Sequence, residues 1–279
     1  MEILFFCTRW GSEDLKWADF SRKVKDAGFD GVEASLPLHP GEQENMMEAL
    51  SKYDLKLIGV HWDTVTPNFG RHKTEMEKRL FALAATDPLF ITSHTGKDHF
   101  SFEQNMELLS RAEEISLSTG VPVLHETHRG KFSFAVHQTK LFLERLPWLK
   151  LTLDISHWYT VAESYLQDQH EALELALSHT SHIHSRVGFT QGPQITDPRY
   201  HEWQEALQHH LICWDKVLNI QKNEGAQFFT FTSEFGPYPY MPSSIAANAV
   251  AGCQWDLNNY MKDLLKGRYT NHLTKYYAG

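Results

Sequence analysis

The sequence has few of the features that mark secreted, membrane-bound or disulfide-rich proteins. Its 279 residues include three widely spaced cysteines and no Cys-x-x-Cys pair, so we do not expect a disulfide framework. No segment approaches the roughly 18 apolar residues that a membrane span requires, and the first residues do not have the pattern of a signal peptide. These absences predict a cytoplasmic protein that contacts no membrane.

Positive charge is also scarce. The 26 Lys and Arg residues are outnumbered by 35 Asp and Glu residues, which gives a formal net charge of −9. Nucleic acids are bound through basic surfaces, so we do not expect a nucleic acid as partner. A Gly-rich turn after the first apolar run is missing as well, because residues 8–11 read Thr-Arg-Trp-Gly. This disfavours an open, doubly wound sheet that binds dinucleotides.

What the sequence contains is a regular alternation of short apolar runs and amphipathic stretches. The runs predict strands at residues 3–7, 31–36, 57–61, 89–93, 121–126, 149–154, 182–186 and 228–233. The stretches predict helices near residues 13–27, 43–52, 71–85, 102–118, 136–146, 162–178, 201–223 and 244–265. This order indicates an α/β fold of the (β/α)₈ TIM-barrel type. No linker or low-complexity tract divides the chain, so we expect a single domain over residues 1–279.

Four side chains of the metal-ligand type each close a β-like run: Glu126, Asp154, His184 and Glu234. In a barrel these positions share one mouth, where three carboxylates would repel each other unless a cation lay between them. Oxygen-rich sets with one imidazole suit Mn²⁺, Mg²⁺ or Co²⁺ better than a structural zinc. The sequence therefore predicts a site for one divalent metal ion, with Mn²⁺ preferred and Mg²⁺, Co²⁺ or Zn²⁺ compatible.

Other polar residues near strand ends are candidates for binding a substrate. His157 comes shortly after the sixth strand, whereas His61 and His94 end the third and fourth strands and could either line the pocket or hydrogen-bond a loop. Arg186 and Arg199 flank a long insertion after the seventh strand. A guanidinium there could bind sugar hydroxyls or a phosphate, although Arg199 could equally be a surface residue.

Polar and aromatic residues close to these positions allow two interpretations each. Glu33 interrupts the second strand and could accept a hydroxyl group or pair with a cation. His182 shares a strand face with His184 and lies deeper, which favours a core role. Four aromatic residues follow strand ends and could stack on a sugar ring or pack in the core: Trp62, Trp158, Phe235 and Tyr238.

The segments at the ends of the last four strands resemble those of the xylose isomerase-like TIM-barrel superfamily, which includes sugar phosphate isomerases and epimerases. They read His-Glu-Thr-His-Arg at 125–129, Leu-Asp-Ile-Ser-His at 153–157, His-Ile-His-Ser-Arg at 182–186 and Ser-Glu-Phe-Gly-Pro at 233–237. The likeness extends over the whole chain. It implies that the four ligand-type residues hold a single metal ion, that Glu126 and Glu234 also exchange protons with the substrate, and that His157 and Arg186 contact it.

These roles predict a metal-dependent sugar isomerase or epimerase. A cation that grips a carbonyl and its neighbouring hydroxyl would stabilise an enediolate, while two glutamates remove and return the proton. The expected substrate is a small polyhydroxy carbonyl compound, and a homo-oligomer is compatible with the sequence.

Three alternatives stay open. A keto-inositol-type dehydratase of the same superfamily would use the same metal geometry, and a binding protein could retain the cavity without turnover. A zinc-dependent abasic-site endonuclease would use most of a three-zinc set: His61, His94, Glu126, Asp154, His157, His184, Asp197 and Glu234. Against this last alternative, Arg199 stands where that pattern has another histidine, and the chain is acidic.

Overall fold

Parallel strands form a closed barrel at the centre of the fold. The computed structural model describes residues 1–241 and 253–270, and in this part of the chain eight strands pair in sequential order, with β8 beside β1. The strands are β1 (Glu2–Thr8), β2 (Gly31–Ala34), β3 (Lys56–His61), β4 (Ile91–Ser93), β5 (Val123–Glu126), β6 (Leu151–Leu153), β7 (Thr180–His184) and β8 (Phe228–Ser233). The predicted (β/α)₈ fold is confirmed.

Helices connect successive strands. They are α1 (Trp17–Asp26), α2 (Pro40–Lys52), α3 (Phe69–Ala84), α4 (Phe102–Thr119), α5 (Val136–Leu143), α6 (Ile155–Ala162), α7 (His170–Ser178), α8 (Gln204–Asn223) and α9 (Gln254–Thr270), with a 3₁₀ turn at His201–Trp203. Helix α4 shows clear sequence signals at both ends, because Ser101 and Gln104 form a capping box and Gly120 follows with a φ of 75°. Across the described ranges, none of the helices has the length and apolar character needed to cross a bilayer.

Two predicted helices differ from those observed. The helix predicted at 162–178 is confirmed only in its second part, where α7 (His170–Ser178) lies, because residues 155–162 form the separate helix α6, which begins directly after Asp154 and ends before Glu163, whose φ of 49° is left-handed. Asp154 caps α6 by accepting a hydrogen bond from the backbone N–H of Ser156 at 3.1 Å, and this local bond starts the helix earlier than the hydrophobic pattern indicates. For the helix predicted at 244–265, residues 244–252 lie outside the described residues.

Apolar side chains fill the barrel below its carboxyl-end mouth. A buried cluster joins Leu4 and Phe6 of β1, Ile58 of β3, Leu124 of β5, and Phe90, which directly precedes β4. The ring of Phe90 lies 5.1 Å from the ring of His182, which connects this floor to the polar residues above it. The floor is therefore packed with apolar side chains, and the polar groups at the strand ends are supported from beneath.

Candidate metal and catalytic site

The structure brings the four ligand-type residues of the last four strands together. Glu126 and His184 are the final residues of β5 and β7, Asp154 follows β6, and Glu234 follows β8. One ligand atom from each of the four lies within 4.8 Å of the others. Three of them are fully buried, and the side chain of Glu234 is 15% exposed. We call this set the quartet.

Three buried atoms of the quartet make no hydrogen bond of good geometry, although each lies at ion-pair distance from a neighbour: Oε2 of Glu126 beside Nε2 of His94, and Nδ1 of His184 beside Oε2 of Glu234. Buried polar atoms without a well-formed hydrogen bond cost free energy, and the convergence of such atoms at one point favours a bound cation. Carboxylate oxygens with one imidazole nitrogen form a donor set that a divalent cation accepts. The residues present therefore fit a divalent metal ion.

Charge within the quartet is balanced by protons and a guanidinium. Burial lowers the pKa of His184, but the neighbouring carboxylates of Glu234, Glu33 and Glu126 outweigh burial and raise it well above its usual range. Burial also raises the pKa of Asp154 to about 6, with the charge of Arg186 opposing this shift. The protein thus places positive charge among these carboxylates, which is the role that a bound cation would take over.

Glu33 orients the ligand histidine from beneath. Its Oε1 lies 2.9 Å from Nε2 of His184 and its Oε2 lies 3.4 Å from Nε2 of His182. The bond to Nε2 leaves Nδ1 of His184 directed at the quartet, where it lies 3.1 Å from Oε2 of Glu234. Carboxylates that hold a histidine in this way fix its ring orientation and tautomer at metal sites. The sequence left open whether Glu33 accepts a hydroxyl group or pairs with a cation. In the structure it pairs with the side chains of His184 and His182.

Among the described residues, two further three-residue groups have ligand atoms equally close together. The ligand atoms of both groups already contact other protein groups. In the group of Glu33, His182 and His184, the hydrogen bonds just described join the members directly. The other group contains Glu126, His128 and His157. In it, Nδ1 of His128 bonds the carbonyl of Arg129 at 2.5 Å, and both ring nitrogens of His157 face guanidinium groups. The quartet is therefore the better candidate for a metal ion.

Two arginines flank His157 at the edge of the quartet. Nη2 of Arg186 lies 2.8 Å from Nε2 of His157 and also donates to Asp154, while Nη1 of Arg129 lies 2.9 Å from Nδ1 of His157. Arg129 also donates to the hydroxyl of Tyr240 at 3.0 Å, and the ring of Tyr240 stacks 4.7 Å from the guanidinium of Arg186. Arg129 and Tyr240 were not identified from the sequence as site residues, because the two are 111 positions apart.

His94 faces one carboxylate oxygen of Glu126, and His184 faces the other. Nε2 of His94 is 2.5 Å from Oε2 of Glu126, and the ring of His94 lies 4.7 Å from that of His128. Burial raises the pKa of Glu126, but the charges of His94 and His184 outweigh it, and the net shift is well below the usual value. The sequence left open whether His94 lines the pocket or hydrogen-bonds a loop. In the structure it lines the pocket.

A cavity of about 640 Å³ opens above the quartet. Its near half is lined by His94, Glu126, His128, Arg186, Glu234 and Tyr240, which follow strands β4, β5, β7 and β8. Its far half is lined by Arg9, Trp10, Glu13, Trp17, Glu42 and Trp62, which follow β1, β2 and β3. The volume lies within the range of small-molecule sites in proteins.

His61 does not line this cavity, and a substrate-binding role is not favoured. The residue is fully buried, and its ring nitrogens lie 2.8 Å from the hydroxyl of Ser93 and 2.7 Å from that of Thr64. Burial, followed by the charge of His94, lowers the pKa of His61 well below its usual value. The ring is thus neutral and already paired, so it has no atom left for a ligand.

Arg199 likewise lies outside the cavity. Its guanidinium makes ion pairs with Asp197 at 2.6 Å and with Asp256 on α9 at 2.8 Å. It therefore ties the loop after β7 to the last helix, and the predicted substrate contact is not favoured. Asp197 is 1% exposed and accepts three further hydrogen bonds from the backbone and side chain of Arg199. Its carboxylate is therefore occupied by Arg199 and is not available as a metal ligand.

The four aromatic residues noted at strand ends separate into different environments. Trp158 and Phe235 are fully buried, and the indole N–H of Trp158 donates to the carbonyl of Ser133 at 2.7 Å. Tyr238 is 73% exposed and does not line the cavity, whereas Trp62 lines it. His182 is buried and bonded to Thr230, as expected for a core histidine.

Replacing Arg199 with Ala is expected to lower the free energy of unfolding by about 1–3 kcal/mol, because the buried carboxylate of Asp197 loses its charged partner. Burial raises the pKa of Asp197, but Arg199 outweighs burial and the net shift is downward. The stabilisation is therefore present above the ordinary carboxyl pKa and is lost as the pH falls through the lowered value. Urea unfolding of wild type, Arg199→Ala and Arg199→Lys at several pH values measures this. Unchanged stability together with weakened substrate binding would restore a binding role.

The family described as xylose isomerase-like TIM barrel matches residues 21–220 of the chain. No curated protein shows a significant sequence match.

Solved structures share the fold at low sequence identity. D-psicose 3-epimerase from Clostridium cellulolyticum H10 gives a TM-score of 0.65 at 15% identity, over 95% of this chain and 98% of its own. A xylose isomerase-like TIM-barrel protein from Mycobacterium smegmatis, in complex with magnesium, gives 0.62 at 11% identity over 95% and 97%. A probable 3-DHS dehydratase from Bacillus anthracis gives 0.59 at 16% identity over 95% and 99%. At these identities the likeness establishes the fold alone.

Proposed function

The chain belongs to the xylose isomerase-like TIM-barrel family, and we propose that it is a divalent-metal-dependent sugar isomerase or epimerase. The observation that supports this most strongly is the quartet, whose buried ligand atoms converge without well-formed hydrogen bonds at the base of a cavity of about 640 Å³. The donor set favours Mn²⁺ or Mg²⁺, and the magnesium complex of the M. smegmatis protein is consistent with such an ion.

Glu126, Asp154, His184 and Glu234 would hold the ion. When bound, a divalent cation polarises a substrate carbonyl and makes the neighbouring C–H more acidic. Glu126 and Glu234 then act as the proton-transferring pair, because they reach the cavity from different strands and both line it. Returning the proton to the same carbon from the other side gives epimerisation, and returning it to the adjacent carbon gives isomerisation.

In this proposal Arg186 orients the substrate and His157 positions Arg186, because His157 is fully buried, does not line the cavity and has both ring nitrogens beside guanidinium groups. Arg186 lines the cavity and is fixed by Asp154 and by the ring of Tyr240, so its remaining N–H groups are held in one direction. His157 lies behind it and holds Nη2 at 2.8 Å. Such preorganised donors suit hydroxyl groups of a sugar.

Dehydration of a keto compound is the second candidate, since the B. anthracis protein of the same fold is named a dehydratase. The quartet fits either reaction. Endonuclease-like chemistry is less well supported, because His61 and Asp197, which a three-zinc set would need, are paired with other residues.

Incubation of the Mn²⁺-loaded protein with a panel of ketoses in D₂O tests the proposal. Proton transfer predicts deuterium in the recovered or epimerised sugar, detected by mass spectrometry. Water loss without deuterium in recovered substrate would favour the dehydratase, and absence of both reactions across the panel would contradict the proposal.

Replacing Glu33 with Gln is expected to weaken Mn²⁺ binding by about 10- to 100-fold, because His184 loses the carboxylate that orients its ring. Calorimetric titration with Mn²⁺ measures the change. Glu171→Gln on exposed helix α7 makes the same chemical change at a side chain that is 86% exposed and should bind as wild type does. Equal affinity for wild type and Glu33→Gln would remove Glu33 from this role.

A further inference from the structure

The cavity continues well beyond the quartet, across the mouth of the barrel. The near half is built on β4, β5, β7 and β8, and the far half on the loops after β1, β2 and β3. Volumes of this size hold drug-sized ligands, which are larger than a single hexose. A monosaccharide bound at the quartet would leave the far half filled with water.

Trp62 offers an aromatic surface in the far half. Its 54% exposure is high for an indole that lines a cavity, measured over the part of the chain that the structure describes. The other two tryptophans there are already engaged, since the guanidinium of Arg9 lies 4.5 Å over the ring of Trp17 and Trp10 packs edge-on against Tyr240 at 5.2 Å. Trp62 is therefore the ring available for stacking against the apolar face of a sugar.

The far half has no uncommitted cation among the lining residues that the structure describes. Arg9 donates through Nη2 to the carbonyl of Leu15 at 2.5 Å and packs against the rings of Trp17 and Phe20. The carboxylates of Glu13 and Glu42 are exposed, and Glu33 of β2 also lines the cavity, so the lining that comes from β1, β2 and β3 carries one positive and three negative charges. A phosphate or carboxylate would be repelled there, whereas carboxylates readily accept hydrogen bonds from hydroxyl groups.

We propose that the far half is a second sugar subsite, so that the substrate is a carbonyl-bearing sugar joined through a glycosidic bond to a second, uncharged ring. The second ring stacks on Trp62 and donates hydroxyl hydrogen bonds to Glu13 and Glu42. The inference rests on the proposed function for the ring that occupies the near half, and it specifies what lies beyond that ring.

Binding calorimetry with two kinds of probe tests the subsite. The probes are the monosaccharide D-fructose and the ketose disaccharides lactulose and palatinose, each measured with the Mn²⁺-loaded protein. We expect a disaccharide to bind at least about tenfold more tightly than D-fructose, and Trp62→Ala to remove about tenfold of its affinity while changing that of D-fructose less than twofold. Phe81→Ala is the matched control, because Phe81 is 43% exposed on α3 and does not line the cavity.

Several results would overturn the subsite. These are equal affinity for mono- and disaccharides, no binding of either disaccharide at millimolar concentration, no effect of Trp62→Ala, or tighter binding of D-fructose 6-phosphate than of both disaccharides.

Deuterium exchange in D₂O separates the two proposals. Exchange into D-fructose without disaccharide preference would support the reaction and contradict the subsite. Trp62-dependent disaccharide binding without exchange into any sugar would support the subsite and contradict the reaction.

Discussion

Replacing Glu126 or Glu234 with Gln is expected to lower turnover by about 10²- to 10⁴-fold while leaving the fold intact. Glutamine keeps the shape of the side chain and one oxygen that can coordinate an ion, but it cannot take a proton from carbon. Both residues line the cavity, and the ion pairs that the substitutions weaken are those of Glu126 with His94 and of Glu234 with His184. Steady-state kinetics on the best ketose of the panel, with circular dichroism of each variant, measures the effect.

A control is needed because both glutamates are also expected to be ligands. Mn²⁺ affinity of each variant should therefore be measured beside kcat, and activity compared at saturating Mn²⁺. Glu113→Gln on α4, outside the cavity, should turn over as wild type does. Near-normal kcat in Glu126→Gln or Glu234→Gln at saturating metal would remove that residue from the acid–base role.

Removing divalent cations with a chelator is expected to abolish activity and to lower thermal stability, both reversibly. Three carboxylates of the quartet lie around one point, and without a cation they depend on Arg186 and a protonated His184 for compensation. An ion that binds only the folded state adds about 2.7 kcal/mol of stability at a concentration 100 times its Kd. Activity and Tm are measured after chelation and after return of Mn²⁺ or Mg²⁺.

His184→Ala locates this effect at the quartet. The variant should fold without added metal and should lose most of the Tm increase that Mn²⁺ gives to wild type, because one of four ligands is gone. Full activity after exhaustive chelation, or an unchanged Mn²⁺-dependent Tm increase in His184→Ala, would contradict metal dependence at this site.

The sequence was informative wherever function follows from position along a strand. Glu126 and His184 are the last residues of their strands and Glu234 follows its own, so alternation of apolar runs and helices was enough to bring them to one mouth. The barrel itself followed from the same alternation. The start of α6 was missed because it depends on a single capping bond from Asp154, which overrides the hydrophobic pattern.

Contacts between distant strands could not be read from the sequence. Glu33 and His184 are separated by 151 positions, and the sequence offered Glu33 two roles without a way to choose between them. His61 and Arg199 have residue types that suit a substrate. His61 is buried beside Thr64 and Ser93, whereas Arg199 is exposed and pairs with Asp197 and Asp256. The packing of the loops decides both sets of contacts.

A crystal structure of the protein grown with Mn²⁺, with anomalous diffraction recorded at the manganese edge, tests the central claim most directly. The account predicts one strong anomalous peak, with atoms of Glu126, Asp154, His184 and Glu234 at roughly 2.0–2.6 Å from it. A map without a peak in the barrel mouth, or with a peak bound by other side chains, would contradict it.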